Sequence, residues 1–456
     1  MDKTNLLVGL DIGTTSVKAV VAETGSNDLR VIGAASSPTK GMRHGKIVDI
    51  DQTASSIASA LKKVSEKTNS KIYRVVTGIP VGLLQLEEAN GLINIGEQGQ
   101  EVGDSDVKRV LSAAISSSLK DGWEPIAFLP NKFLIDGKTD VDDPRKMIAH
   151  SLEVHGILLA APTTDLHNIK KAIERAGYQN NFFVPTPLAI ASVALDEGER
   201  TFGAIILDLG GGTTTATVIH ENKIKYATID LEGGSDITND ISVVLNTSKN
   251  EAEKIKREFG YADPSLTSKD NKFPVNVVGE SAPQMIDEEY LSEIINARLE
   301  QLLDRVGNGL EDHDAFKLPG GVVITGGSSA LQGTDDVVKD NFQVKARIFQ
   351  PDQMGLRNPL YAAGFGVVRY AYGLADIDYL VNSVIYGGQV TPRVTEENNS
   401  EKMKFFKRPQ STSEITRKED YNKTNVAQSA HESDTDARDT KKNKKGFRDF
   451  FKKFFD

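Results

Sequence analysis

The chain has 456 residues, with 54 Lys and Arg against 64 Asp and Glu for a net charge of −10, 7 His and no Cys. That length allows several domains with full cores, and the lack of cysteine excludes disulfides, thiolate metal sites and cysteine nucleophiles. The acidic balance argues against nucleic acid as the main partner, and no stretch approaches the roughly 20 apolar residues of a membrane-spanning helix.

The opening MDKTNLLVGLDIG reaches a charged Asp after a short apolar run and shows no cleavage pattern, so it reads as a buried strand rather than a signal peptide. Asp11 ends that strand. Gly13, Thr14, Thr15 and Ser16 then form a small-residue turn, and a second β-type run carries Lys18. Strand LRVIGAAS, an amphipathic helix over about Asp51–Lys67 and a buried strand IYRVVTGIP follow. Between Val81 and Pro162, LLQLEEANGLINI alternates as a strand and DSDVKRVLSAAISSSL has helical spacing with Asp capping signals. EPIAFLPNKFLIDG and MIAHSLEVHGILLAA read as two more strands. The spacing thus predicts a small α+β unit, followed by a helix beginning near Thr163. His150 and His155 in this stretch lack the i,i+4 spacing of a helical metal pair.

GAIILDLGGGTTTATVIHENK then repeats the opening pattern, with Asp208 at the strand end and Gly210, Gly211, Gly212, Thr213 and Thr214 in the turn. Turns of this kind expose backbone N–H groups with no Cβ in the way, and each Asp can hold a hydrated divalent cation against phosphate. One copy would pass as an ordinary hairpin; two related copies read as two half-molecules gripping one nucleotide. Helical NTSKNEAEKIKREFG follows, with Glu253, Lys256 and Arg257 on one face, which fits either a ligand clamp or a solvated surface. A long amphipathic helix, DEEYLSEIINARLEQLLDRVGNGL, carries Arg298. GGVVITGGSSAL is a strand running into Gly326, Gly327 and Ser328.

From about Gln389 the text is polar and poor in large apolar residues, and it reads as a disordered linker. The last residues put Phe447, Phe450, Phe451, Phe454 and Phe455 on one helical face, with Lys452 and Lys453 on the other. A basic five-Phe helix after a polar linker has no core to enter. It reads as an interfacial helix on an anionic membrane, too short to span it.

The paired loops, with VPTPLAIASVAL from Val184, GGVVITGGSSAL from Gly320 and NPLYAAGFG from Asn358, resemble the five ordered motifs of the actin/sugar-kinase/DnaK-type ATPase superfamily. No P-loop pattern competes. The α+β insertion at Val81–Pro162 is similar to the 1C, SHS2-like subdomain of the FtsA family of cell-division proteins, and the Phe-rich tail is similar to that family's membrane-targeting sequence. PilM-type pilus assembly proteins share the insertion.

The resemblance implies an α/β, actin-like two-lobed ATPase fold with an inserted α+β subdomain, a disordered linker and a C-terminal amphipathic helix. Its expected parts are subdomain 1A at 1–82 and 163–200, 1C at 83–162, 2A at 201–233 and 319–388, and 2B at 234–318. The linker then spans 389–445 and the membrane helix 446–456. It implies ATP and Mg²⁺ as cofactors, with Asp11 and Asp208 holding the metal through water and the loop amides on the phosphates. Lys18 reaches a phosphate or stays a strand residue. Glu253, Lys256, Arg257, Gly326, Gly327 and Ser328 would take the adenosine. Asp208 is the candidate to orient an attacking water, with at most slow ATPase activity, because the first connecting helix offers no matching polar group. The implied partners are the C-terminal tail of FtsZ near Arg298, further copies of the chain in filaments, anionic lipids and downstream division proteins. The implied place is the cytoplasmic face of the membrane at the septum. A PilM-like assembly ATPase or a small-molecule kinase are the competing readings.

Overall fold

The computed structural model describes residues 5–25 and 28–387; the linker and the Phe447–Phe455 helix with Lys452 and Lys453 lie outside the described residues. β1 (Asn5–Ile12) and β2 (Ser16–Thr24) form the first hairpin, and β3 (Leu29–Pro38) pairs antiparallel with β2. A small hairpin of β4 (Met42–Arg43) and β5 (Lys46–Ile47) leads to α1 (Ile50–Thr68). Asp49 caps α1 by accepting from the Gln52 N–H, and Asn69 ends it in the left-handed conformation. β6 (Arg74–Ile79) then lies parallel to β1.

The inserted unit comes next. β7 (Gln85–Asn94), the short β8 (Gln100–Glu101), α2 (Asp104–Ser118), β9 (Trp123–Ile135), β10 (Thr139–Val141), β11 (Ile148–Ala149) and β12 (Ser151–Pro162) follow in chain order. Four of the strands make an antiparallel sheet, β10-β9-β12-β7, and β8 pairs with β11. α2 packs on the sheet, so that Leu111, Phe133, Leu152 and Leu158 build a core of their own. The chain then returns through α3 (Thr163–Arg175) to β13 (Gln179–Pro185), which completes the first five-stranded sheet, β13-β6-β1-β2-β3. Leu61 and Ile57 of α1 and Leu166 and Ile173 of α3 cover this sheet over Leu10 and Val17.

α4 (Thr186–Ala194) and α5 (Glu197–Phe202) lead into the second half. β14 (Ala204–Leu209), β15 (Thr214–His220) and β16 (Lys223–Asp230) form an antiparallel run. α6 (Gly234–Val244), α7 (Lys249–Phe259), the hairpin β17 (Lys272–Val275) and β18 (Gln284–Asp287), and the start of α8 (Glu288–Glu311) share a separate small core. β19 (Val322–Thr325), α9 (Thr334–Phe342) and β20 (Ala346–Ile348) complete the second sheet, β16-β15-β14-β19-β20. Read from the hairpin edge, both sheets have the same order: three antiparallel strands, then two parallel ones. The duplicated Asp loops are therefore the visible part of a duplicated half.

α10 (Ala362–Tyr372) and α11 (Asp376–Tyr386) correct one expectation. The sequence reading placed everything from 319 to 388 with the second half. In the structure α10 lies on the first sheet, with Val367, Val368 and Phe365 among Val20, Val76 and Phe182. α11 packs Leu380 and Val381 into the core of the inserted unit, and the Tyr386 hydroxyl donates to the Ile126 carbonyl at 2.6 Å. Both helices bury apolar faces that the first half leaves uncovered, and chain order carries no information about that. Among the described residues, no helix is long and apolar enough to cross a membrane.

α4 and α10 touch backbone to backbone: a Cβ on Gly366 would lie 2.4 Å from the Ala189 carbonyl oxygen. Gly366→Ala should therefore push the two helices apart and destabilise the fold by about 1–3 kcal/mol, as overpacking does. Urea denaturation checks this, and an unchanged midpoint would show that the crossing is looser than described.

Candidate functional site

The two Asp loops are built alike. Asp11 and Asp208 each stand one residue before the end of their strand, opposite Lys18 and Thr215 in the register. The turns close alike too: the Gly13 N–H donates to the Ser16 carbonyl at 3.1 Å and the Gly210 N–H to the Thr213 carbonyl at 3.0 Å.

The structure brings the two turns against each other. A Cβ on Gly211 would sit 2.2 Å from Thr15 Oγ1, and one on Gly212 would sit 2.5 Å from Thr14 Cγ2. Any side chain there would drive the loops apart, so the glycines permit the contact. Lys18 is buried, with Nζ 3.1 Å from Asp11 Oδ2. Asp208 is half-buried, and the loss of water around its carboxyl, with repulsion from Asp11, pushes its pKa up to about 6 although Lys18 pulls the other way. The cleft thus holds two carboxylates and one lysine, with excess negative charge. Hard oxygen donors in that state suit a hydrated divalent cation such as Mg²⁺.

Further elements support the second loop. The Gly234 N–H donates to the Gly210 carbonyl at 3.0 Å, the Ser235 N–H to that of Gly211 at 2.7 Å, and Ser328 Oγ to that of Gly210 at 3.1 Å. Gly326 has φ +93°, and a Cβ there would meet Asp208 Oδ1 at 2.4 Å, so this position needs glycine on both counts. Gly327 faces Leu360. Thr214 is buried and spends its hydroxyl on the Glu232 carbonyl at 3.1 Å, which makes it a support of the loop.

In α7, Lys256 is buried and donates to the Gly234 carbonyl and to Thr238 Oγ1, both at 2.7 Å, while pairing with Glu253 at 2.7 Å. Burial depresses the Lys256 pKa. Burial also opposes the charge on Glu253, but the attraction of Lys256 and hydrogen bonds from Lys256, Thr238 and Arg257 outweigh it, so that carboxyl titrates below its ordinary range. The Glu253–Lys256 pair therefore ties α7 to the first turn of α6, beside Ser328. Arg257 is exposed and pairs with Glu253 at 2.6 Å.

Arg298 does not have the freedom expected of a partner-binding cation. Its side chain is only 12% exposed, and the guanidinium grips Asp240 at 2.6 and 2.9 Å and Glu232 at 2.8 Å. Breaking that buried arrangement to meet an acidic ligand would leave Asp240 uncompensated, so Arg298 is a structural residue. The sequence reading also missed the β4–β5 turn, where the Gly45 N–H donates to Thr14 Oγ1 at 3.0 Å. Strands of two residues leave no periodicity to detect, and the only signal was the His44-Gly45 pair at a turn.

A family model described as "Cell division protein FtsA" matches residues 205–366, and one described as "SHS2 domain inserted in FTSA" matches residues 82–160. The cell division protein FtsA of Enterococcus faecalis is 43% identical over 392 residues, which cover 86% of this chain and 89% of that protein. FtsA of Streptococcus pneumoniae is 39% identical over 387 residues (85% and 84%), and that of Bacillus subtilis 34% identical over 371 residues (81% and 84%). Among solved structures, the PilM-PilN type IV pilus biogenesis complex matches with TM-score 0.56 at 16% identity, covering 79% of this chain and 97% of that one. MreB5 of Spiroplasma citri bound to ADP matches with TM-score 0.51 at 14% identity, covering 84% and 99%. At such identities these two structures establish the actin-like fold alone.

The raised Asp208 pKa has a measurable consequence without any ligand. Between the unfolded value of 3.8 and about 6, the folded protein binds more protons than the unfolded chain, so stability falls as pH rises through that window. Asp208→Asn removes the penalty and should stabilise the protein in the absence of added ligand by about 1–2 kcal/mol at pH 7, with the gain vanishing below about pH 4. Thermal melts across that range decide it; a destabilised Asn variant at pH 7 would contradict the crowded-carboxylate account.

Proposed function

The chain belongs to the FtsA family of cell-division proteins, and from that premise we propose that it binds ATP with Mg²⁺ between its lobes and assembles on the cytoplasmic face of the membrane at the division septum. There it would anchor FtsZ through the FtsZ C-terminal tail and recruit downstream division proteins. The observation that carries the nucleotide reading is the meeting of the Gly211–Gly212 turn with the Thr14–Thr15 turn beside two carboxylates. Backbone N–H groups of both turns would take the phosphates, and Asp11 and Asp208 would hold the cation through water. The bound cation would neutralise phosphate charge. Lys18 balances Asp11 in its absence. Glu253, Lys256 and Ser328 border the second loop on the side where the adenosine would lie.

Hydrolysis would be slow. α4 carries Thr186 and Ser192 as its polar side chains, both buried, and Ser192 Oγ already donates to the Ala189 carbonyl at 2.7 Å. Neither is a general base, so Asp208 is left to orient water unaided. The FtsZ tail is assigned to the small unit of α6, α7, β17, β18 and α8, which exposes Val243, Val278 and Met285; Arg298 has no part in it. The Phe447–Phe455 face would hold the membrane, and many weakly bound copies in a filament would make the attachment stable. Likeness to PilM rests on fold alone, whereas FtsA relatives match by sequence over most of both chains.

Gly211→Asp should abolish ATP binding, since the new side chain would collide with Thr15 and add charge facing phosphate. Equal ATP affinity in the parent and this variant, measured by calorimetry with Mg²⁺, would remove the two-loop site. Separately, Phe450→Glu with Phe451→Glu should release the protein from anionic liposomes, because each buried Phe contributes roughly 1.5–3 kcal/mol and each carboxylate is repelled. Co-sedimentation like that of the parent would show that this face is not the anchor.

A further inference from the structure

The β4–β5 turn lies against both phosphate loops. His44 and Gly45 both have positive φ, 48° and 76°, the geometry of a tight two-residue hairpin. The hairpin is fixed to the first half in three ways. The Gly41 carbonyl accepts from the Val48 and Asp49 N–H groups at 2.8 and 3.0 Å, Gly45 donates to Thr14, and Lys46 pairs with Asp165 at 3.2 Å. Across the cleft, His44 Nδ1 lies 2.5 Å from the Leu231 carbonyl oxygen. A carbonyl accepts only, so Nδ1 carries the hydrogen in this contact.

Leu231 begins the segment that supports the second loop. Its neighbour Glu232 accepts from Thr214 Oγ1, and Gly234 donates to Gly210. Separating the halves would break the His44–Leu231 bond while leaving the rest of the hairpin anchored.

We propose that His44 is a positioning residue that latches the second phosphate loop against the first and so slows escape of bound nucleotide; this rests on the nucleotide site proposed above. The neutral Nδ1–H tautomer and the imidazolium both donate from Nδ1, so the latch needs no change of protonation. The position demands two properties at once: tolerance of the left-handed conformation and a donor close to the backbone.

Those two properties can be separated. His44→Gly keeps the turn and removes the donor, whereas His44→Asn tolerates the left-handed conformation and places an N–H donor near the Nδ1 position. In the full chain with Mg²⁺ and a fluorescent ATP analogue, chased by excess ATP, dissociation from His44→Gly should be roughly three- to fivefold faster, the scale of one exposed hydrogen bond. His44→Asn should restore the parent rate, and unfolding midpoints of all three should agree. The chain has no Cys, so Lys62→Cys in the first half and Lys317→Cys in the second accept spin labels without background. The inter-label distance distribution under saturating nucleotide should broaden in His44→Gly and narrow again in His44→Asn. If the parent fails to bind the analogue, the nucleotide reading falls and this one with it. If the parent binds but His44→Gly matches it in rate and distance, or His44→Asn fails to restore both, the latch alone is overturned.

Discussion

Charge crowding at the floor of the cleft organises what surrounds it. Asp11 and Asp208 arrive from opposite halves on equivalent strand ends, near enough that one raises the pKa of the other, and a single lysine offsets them. Such an arrangement is stable only if the scaffold fixes it and becomes favourable only when positive charge enters. The scaffold supplies the first condition through hydrogen bonds onto the Gly210 and Gly211 carbonyls from Ser328, Gly234 and Ser235, each from a different stretch of chain or from the start of α6. The second condition is one that a hydrated divalent cation would meet.

Two matching five-stranded sheets also set a limit on how the halves can move. α4 and α10 cross where Gly366 meets the Ala189 backbone, with no side chain between them. A crossing this close tolerates rotation about the contact more readily than sliding, because sliding would drive the neighbouring side chains into the gap. The geometry at this crossing therefore holds α4 and α10 against sliding along each other.

The long periodic helices and the glycine-flanked aspartates were legible in the sequence because each is a local pattern. α1, α2, α3, α7 and α8 stand within a few residues of where apolar spacing put them. What was not legible depended on partners distant in sequence. Arg298 reads as a surface cation on an amphipathic helix until Asp240 and Glu232 are brought beside it. Lys256 looks like one half of an ordinary helical ion pair, yet its ammonium is buried against the start of α6. α10 and α11 follow the second sheet in the chain but bury their faces on the first, which only the shape of the uncovered cores dictates.

The placement of α11 governs how mechanical load would pass through the molecule. The apolar face of α11 is embedded in the inserted unit, and its Tyr386 is bonded to Ile126 of β9. Load carried along α11 would pass first into the two cores it joins, that of the inserted unit and that on the first sheet. The main packing partners of the helix are α2, β9 and β13, none of them in the second half. Load entering at α11 would therefore meet the first half and the inserted unit before it reached the Gly211–Gly212 turn of the second half.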